Sequence, residues 1–209
     1  MTIALETFLP GQLLLTRGTV HDYRALERFH YRAKRPATWA GVWVVRYEER
    51  PMSLWHGHPG RCESCESSNN EGLSTTAHLA RAGRACHVVA VAVLSYPTVN
   101  SAARDRALGL ANVAPRRKLA FVNGNVRTIS RVIVHPQFRS LGLASRLVRE
   151  ICGAAPTRYV EAFAVMGKVH PFFEKGGMTK YESAVDGPVY YLFDREGEGR
   201  CAAAGNCAR

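Results

Sequence analysis

Short runs of apolar and β-branched residues recur along the chain, separated by polar segments that carry Gly and Pro. Residues 11–18 (GQLLLTRG), 41–47 (GVWVVRY), 87–95 (HVVAVAVLS), 127–134 (RTISRVIV), 158–165 (RYVEAFAV) and 188–193 (PVYYLF) have the length and composition of strands. Other segments carry helical spacing. Tyr23, Leu26 and Phe29 recur within residues 21–31, and Leu143, Leu147, Val148 and Ile151 form one apolar face within residues 141–152. Residues 100–111 read as a helix capped by Asn100 or Ser101, and residues 170–175 as a short helix stopped at Gly176-Gly177. The order β-α-β-insertion-β-α-β-α-β-α-β predicts an α/β fold with a mixed central sheet and helices on both faces.

Residues 50–85 break the pattern. They are rich in Ser, Gly, Glu, Asn and Arg and keep no period, so they read as a long surface insertion, with a helix near 75–82. The rest, residues 1–195, reads as a single domain, and 196–209 as a flexible tail. No apolar run approaches the ~20 residues needed to span a bilayer. The start of the chain has no basic region ahead of an apolar one, so the expectation is a soluble cytoplasmic protein with no membrane partner. The six cysteines are scattered and read as reduced thiols. The formal net charge of +11 exceeds what one phosphorylated ligand requires and makes nucleic acid a candidate partner.

The most informative segment is Val132 to Ala144, VIVHPQFRSLGLA. A strand ends at Val134, a turn contains Pro136, and Arg139-Ser140-Leu141-Gly142-Leu143-Ala144 leads into the amphipathic helix. A helix start offers unpaired backbone N–H groups and the positive end of the dipole, which together suit a pyrophosphate. Gly142 and the small Ala144 let the backbone approach it, and Arg139 adds a cation.

This loop resembles the acyltransferase signature (Arg or Gln)-x-x-Gly-x-(Gly or Ala). About 30 residues on, Pro171-Phe172-Phe173-Glu174-Lys175-Gly176-Gly177-Met178 resembles the helix and turn that close the same core. Residues 119–193 are on these grounds identified as similar to the GNAT N-acetyltransferase superfamily. The sub-pattern is loosely similar to the acetyltransferase-like domains fused to ABC-type ATPases, and distantly to phage adenine-modifying members. The resemblance implies acetyl-CoA as co-substrate. Ile133 and Val134 would bond the pantetheine arm where the strand splays from its neighbour. Arg139, Ser140, Leu141, Gly142, Leu143, Ala144 and Ser145 would hold the pyrophosphate.

The family's usual acid and base do not carry over. Ser130 and Arg131 stand where carboxylates are common, Phe173 occupies the slot of a tyrosine acid, and Met166 that of an asparagine. Substitute catalytic candidates are Glu161 as base, His170 near the expected thiolate, and Ser130 as substrate ligand or proton relay. Arg131 would repel an ammonium and suit an anionic acceptor. The stretch Phe29-His30-Tyr31-Arg32-Ala33-Lys34-Arg35-Pro36 interleaves aromatics with cations, as nucleic-acid contacts do. In the insertion, His56, His58, Cys62 and Cys65 could complete a zinc shell. All four lie within ten residues, however, whereas structural sites usually join two distant pairs, so a polar loop is the favoured reading.

The expected function is N-acetyl transfer from acetyl-CoA to an amine by direct attack, with the Val134 amide polarising the carbonyl. Two alternatives stand beside it. One is a nucleic-acid-modifying enzyme of the same fold, acting on a base or an aminoacyl-RNA. The other is a non-catalytic module that binds CoA or nucleic acid.

Overall fold

In the computed structural model the described residues are 2–5, 11–31, 35–48, 86–181 and 187–197. The helix expected near 75–82, the group His56, His58, Cys62 and Cys65, and residues 198–209 of the tail lie outside them. Eight strands are described: β1 (Thr2–Leu5), β2 (Gln12–Arg17), β3 (Gly41–Glu48), β4 (Cys86–Ser95), β5 (Val126–Val134), β6 (Tyr159–Ala164), β7 (Thr179–Tyr181) and β8 (Val189–Asp194). The helices are α1 (Val20–Leu26), α2 (Ala102–Ala107), α3 (Pro115–Asn125), α4 (Leu143–Ala154) and α5 (Phe172–Lys175).

The strands form one mixed sheet in the order β1-β2-β3-β4-β5-β6-β8-β7, so the fold is α/β as expected. All adjacent strands run antiparallel except β5 and β6, which are parallel. Three elements were not expected: the short β1 and β7, and α3, which buries only Val122 and so carries no apolar period. The helix expected over 100–111 ends at Ala107, and Gly109, at a φ of +67°, lies just beyond it. The helix expected over 21–31 becomes α1 followed by a 3-10 turn, Glu27–Phe29.

Each sheet face is buried by a helix whose apolar stripe fits it. Leu143, Leu147, Val148 and Ile151 of α4 pack with Ala90, Ala92 and Leu94 of β4 and with Val160, Ala162 and Ala164 of β6. On the opposite face Tyr23 and Leu26 of α1 cover Val42, Val44, Val91, Val93 and Ile133. The start of α1 is fixed by a capping box. Thr19 accepts from the Asp22 amide while Asp22 accepts from the Thr19 amide at 2.7 Å. Arg46 of β3 reaches the same carboxylate at 2.6 Å and ties α1 to the sheet.

The relative position of α4 and α5 depends on Gly176. A Cβ there would stand 2.6 Å from Val148 Cγ1 and 2.9 Å from Val148 Cβ, so the two helices meet only because no side chain intervenes. Gly176→Ala should therefore lower stability by about 1–3 kcal/mol through overpacking, since its φ of −80° suits alanine. A urea unfolding midpoint unchanged from the native chain would show that the α4–α5 contact is not as tight as this.

Candidate active site

Strands β5 and β6 are paired only from Val126–Tyr159 to Ile129–Ala162. Beyond that point β6 continues against β8 through Phe163–Tyr190 and Ala164–Val189, while β5 stays with β4 as far as Val134–Ala90. The two central strands thus diverge. Ser130 lies at the divergence, in a bulge: Leu94 pairs with Ile129 and Val93 with Arg131, leaving Ser130 as the extra residue.

The ladder fixes which backbone groups face the gap. His135 donates its amide to Val89 at 2.8 Å, so Ile133 and Arg131, at alternate positions, also direct their main chain to β4. The amides and carbonyls of Val132 and Val134 then point toward the gap. Arg139 Nε already donates to the Val134 carbonyl at 3.4 Å. This corrects the expectation for Ile133. Its backbone is turned to β4 and its side chain, 3% exposed, is packed with Tyr23 and Leu26. Ile133 contributes to the wall of the gap, and Val132 with Val134 supplies the groups a ligand could pair with.

The gap opens into a cleft of about 680 Å³. One end is formed by residues 139–145. Ser140 and Gly142 both take left-handed φ, 73° and 71°, a backbone conformation that anion nests also use. Gly142 is the N-cap of α4, and as a glycine it supplies no side-chain cap bond to the amides of the first turn. The first intrahelical donor there is Arg146, to the Gly142 carbonyl at 3.1 Å. A Cβ on Gly142 would meet nothing within 4 Å, so this glycine is required for its backbone angle and leaves space over the loop. Arg139, Ser140, Gly142, Leu143, Ala144 and Ser145 all line the cleft. Leu141 is exposed beside it. This cradle of uncapped amides with an adjacent guanidinium fits a pyrophosphate.

The catalytic candidates separate. His170 is exposed at the approach to α5 and lines the cleft. Ser130 also lines it, but its hydroxyl is engaged inward. Ser95 Oγ donates to the Thr38 carbonyl at 2.6 Å, and the Ser130 proton has two inward acceptors, Ser95 Oγ at 2.7 Å and the Val93 carbonyl at 3.3 Å. Ser130 can therefore accept from a ligand but does not have a free proton to relay.

Glu161 does not stand in the cleft as a free base. It is fully buried, and Arg104 of α2 donates to both its oxygens, Nε at 2.8 Å and Nη2 at 2.7 Å. Thr128 Oγ1 donates at 2.7 Å and the Tyr190 hydroxyl at 3.1 Å. Burial, followed by the charge of Glu161, holds the Tyr190 hydroxyl far above its ordinary range, so it remains a donor. A carboxylate with four donors has no lone pair left for an acceptor amine, and its role is to pin β5, β6, β8 and α2 together. Arg104 was not anticipated, since nothing in residues 100–111 distinguishes it from an exposed helical arginine.

Phe173, in the slot where a tyrosine acid was expected, is buried and stacks on Tyr191 at 5.1 Å. The Tyr191 hydroxyl, pushed up to about 12 by burial and the Glu174 carboxylate, bonds Gly167 O and Glu174 Oε1, each at 3.1 Å. It closes the α5 turn and is committed there. From the amino-terminal stretch, Phe29, His30 and Tyr31 line the cleft. Arg35 instead pairs with Glu27 at 2.9 Å, and Arg32, Ala33 and Lys34 lie outside the described residues.

The sequence matches the acetyltransferase (GNAT) family over residues 20–178, and the chain belongs to that family. None of the curated proteins matches it. Among solved structures it is similar to the aminoglycoside acetyltransferase AAC(6')-Ib in complex with coenzyme A and kanamycin. The identity is 14% and the TM-score 0.45, over 91% of this chain and 99% of that one. It is also similar to the GNAT domain of S. lividans PAT, at 15% identity and TM-score 0.45, over 91% and 96% of the two chains. A third is AtaT complexed with acetyl-methionyl-tRNAfMet, at 13% identity and TM-score 0.32, over 55% and 67%. Among the described residues no helix is long and apolar enough to cross a membrane.

The buried pair yields a stability prediction. Glu161→Ala should cost about 3–5 kcal/mol, because it leaves the Arg104 charge uncompensated. Replacing both, Arg104→Met with Glu161→Leu, should recover most of that loss. Urea unfolding of the three variants checks it, and a single variant within about 1 kcal/mol of the native chain would remove Glu161 from this structural role.

Proposed function

We propose that this chain transfers an acetyl group from acetyl-CoA to an acceptor amine by direct attack, with no covalent acetyl-protein species. The observation that carries the reading is the diverging β5–β6 pair, which opens beside the uncapped start of α4. The thioester supplies an activated acetyl group with a good leaving thiolate. The Ser140–Ser145 amides and Arg139 bind the pyrophosphate, and Val132 and Val134 pair with the pantetheine amides. The Val134 N–H stands at the thioester carbonyl and stabilises the charge that develops on its oxygen. His170, on the α5 side of the cleft, protonates the leaving sulfur. Ser130 Oγ accepts a hydrogen bond from the acceptor.

A specific observation favours nucleic acid as a second class of acceptor. Tyr31 is 61% exposed, His30 stacks on it at 4.7 Å, and both line the cleft. Such a platform suits an unstacked base. Steep loss of polyanion binding with salt would support this class over a small amine.

Acetyl-CoA at ~100 times its dissociation constant should stabilise the native chain by about 2.7 kcal/mol. The double variant Arg139→Ala, Gly142→Glu should lose that stabilisation, because it removes a cation and places a carboxylate in the cradle. No stabilisation of the native chain would displace this reading in favour of a module that does not use CoA. His170→Ala should lower kcat by about 10²-fold or more with the melting shift by acetyl-CoA retained. An unchanged kcat would remove His170 from the proton transfer.

A further inference from the structure

Outside the cleft the chain carries a second basic surface. From Tyr96 to Arg127 it holds Arg104, Arg106, Arg116, Arg117, Lys118 and Arg127, and a single acidic residue, Asp105. Two of these cations are already paired. Arg104 is buried against Glu161, and Lys118 donates to Asp105 at 2.7 Å. The second bond joins α2 to the first turn of α3, so the exposed Arg106, next to Asp105, shares one end of the surface with the exposed Arg116 and Arg117. Arg127 lies at the other end of α3. Its Nη1 donates to the Asn123 carbonyl at 2.8 Å and the Val126 carbonyl at 2.7 Å, and its guanidinium lies over the Tyr96 ring at 4.6 Å. The cations thus span the length of α3, about 16 Å. Where Phe121 meets Tyr159 beyond them, the carboxylates of Asp194 and Glu196 are held by Arg158.

The fold itself has no use for these charges. Arg116, Arg117 and Lys118 occupy the first turn of α3, where a cation opposes the helix dipole, and no acidic residue stands there to offset them. α3 buries only Val122. Phe121 turns to the cluster of Leu110, Val122 and Val126, and Leu119 is the one large apolar side chain that α3 exposes. A helix that shows one leucine among several cations lacks the apolar face that would enter a lipid surface. It is suited instead to neutralising phosphates in water.

Tyr96 selects among polyanions. It is 51% exposed, and its main chain is fixed by Thr38, whose Oγ1 accepts from the Tyr96 amide at 3.1 Å. Arg127 occupies one face of the ring, and a ring held in this way can stack its other face on a base, which is accessible only where the base is unpaired. The same Arg127 spends Nη1 on backbone carbonyls and keeps Nε and Nη2 for a phosphate beside that base. Tyr96 also follows Ser95, whose Oγ meets Ser130 in the cleft wall at 2.7 Å, so this surface adjoins the cleft. We infer that the face formed by α2, α3 and Tyr96 binds single-stranded nucleic acid, with Arg106, Arg116, Arg117 and Arg127 on its phosphates and Tyr96 stacked on a base. The inference concerns binding at a surface outside the cleft and does not depend on acetyl transfer.

Fluorescence anisotropy of a labelled oligouridylate, titrated with the full chain over a range of salt concentrations, tests it. Log affinity should fall linearly with log salt. Arg116→Gln with Arg117→Gln should make that slope shallower by about 1.4, because each phosphate contact on a single strand contributes about 0.7. Tyr96→Ala should weaken binding by about tenfold and leave the slope unchanged. Lys180→Gln, at an exposed cation on the edge strand β7, should change neither. The native chain alone carries a further arm that needs no variant: it should bind the single strand about tenfold more tightly than an RNA duplex of the same length or phosphatidylserine vesicles, since neither offers an unpaired base. The inference is overturned if the duplex or the vesicles bind as tightly as the single strand, or if the native chain shows no salt-dependent binding. It is also overturned if the double variant keeps the native slope, if Tyr96→Ala keeps the native affinity, or if Lys180→Gln flattens the slope as much as the double variant does.

Discussion

The feature on which the rest of the site depends is the loss of pairing between β5 and β6 after Ile129–Ala162. Two parallel neighbours in the middle of a sheet normally stay bonded, because an unpaired buried N–H or C=O is costly. Here the divergence is anchored at its vertex. Thr128 of β5 and Glu161 of β6 are the penultimate paired residues, and their side chains are bonded to each other at 2.7 Å. Arg104 enters from α2 and Tyr190 from β8 to complete the same node. Immediately beyond it the Ser130 bulge shifts β5 relative to β4. A buried, fully bonded carboxylate on one side and an extra residue on the other let the strands part at a fixed place without fraying below it.

The consequence is a pair of exposed backbone edges where a sheet would ordinarily have none. β6 satisfies its far edge on β8, and β5 satisfies its far edge on β4. The near edge of β5 is left with the groups of Val132 and Val134, of which Arg139 takes one carbonyl. An extended arm with its own amides can occupy the remainder as a strand would, which is how a sheet defect becomes a binding site. The cradle at the start of α4 lies at the end of the same strand, because only the turn from His135 to Gly142 separates them.

Much of this was legible in the sequence. The strands at 41–47, 87–95, 127–134, 158–165 and 188–193 and the α4 stripe were clear because each buries a face and so carries a period. The turn into α4 was clear because a left-handed N-cap at Gly142 constrains residue type through backbone geometry. Elements without a buried face were silent: β1 and β7 are three or four residues long, and α3 buries Val122 alone. The assignment of Glu161 to catalysis went astray for a different reason. Strand alternation places its side chain on the α2 side of the sheet, but alternation cannot reveal that Arg104, 57 residues away in the chain, meets it there. The same limit applies to Ile133, whose orientation depends on the register with Val91 rather than on its own identity.

The node also bears on the electrostatics of the reaction. A carboxylate at position 161 that faced the gap would hold an acceptor as its ammonium, the form that cannot attack. Paired with Arg104 in a buried site, it contributes no net charge to the cleft. The arrangement that fixes the geometry of the splay is thus also the one that withdraws the Glu161 charge from the cleft.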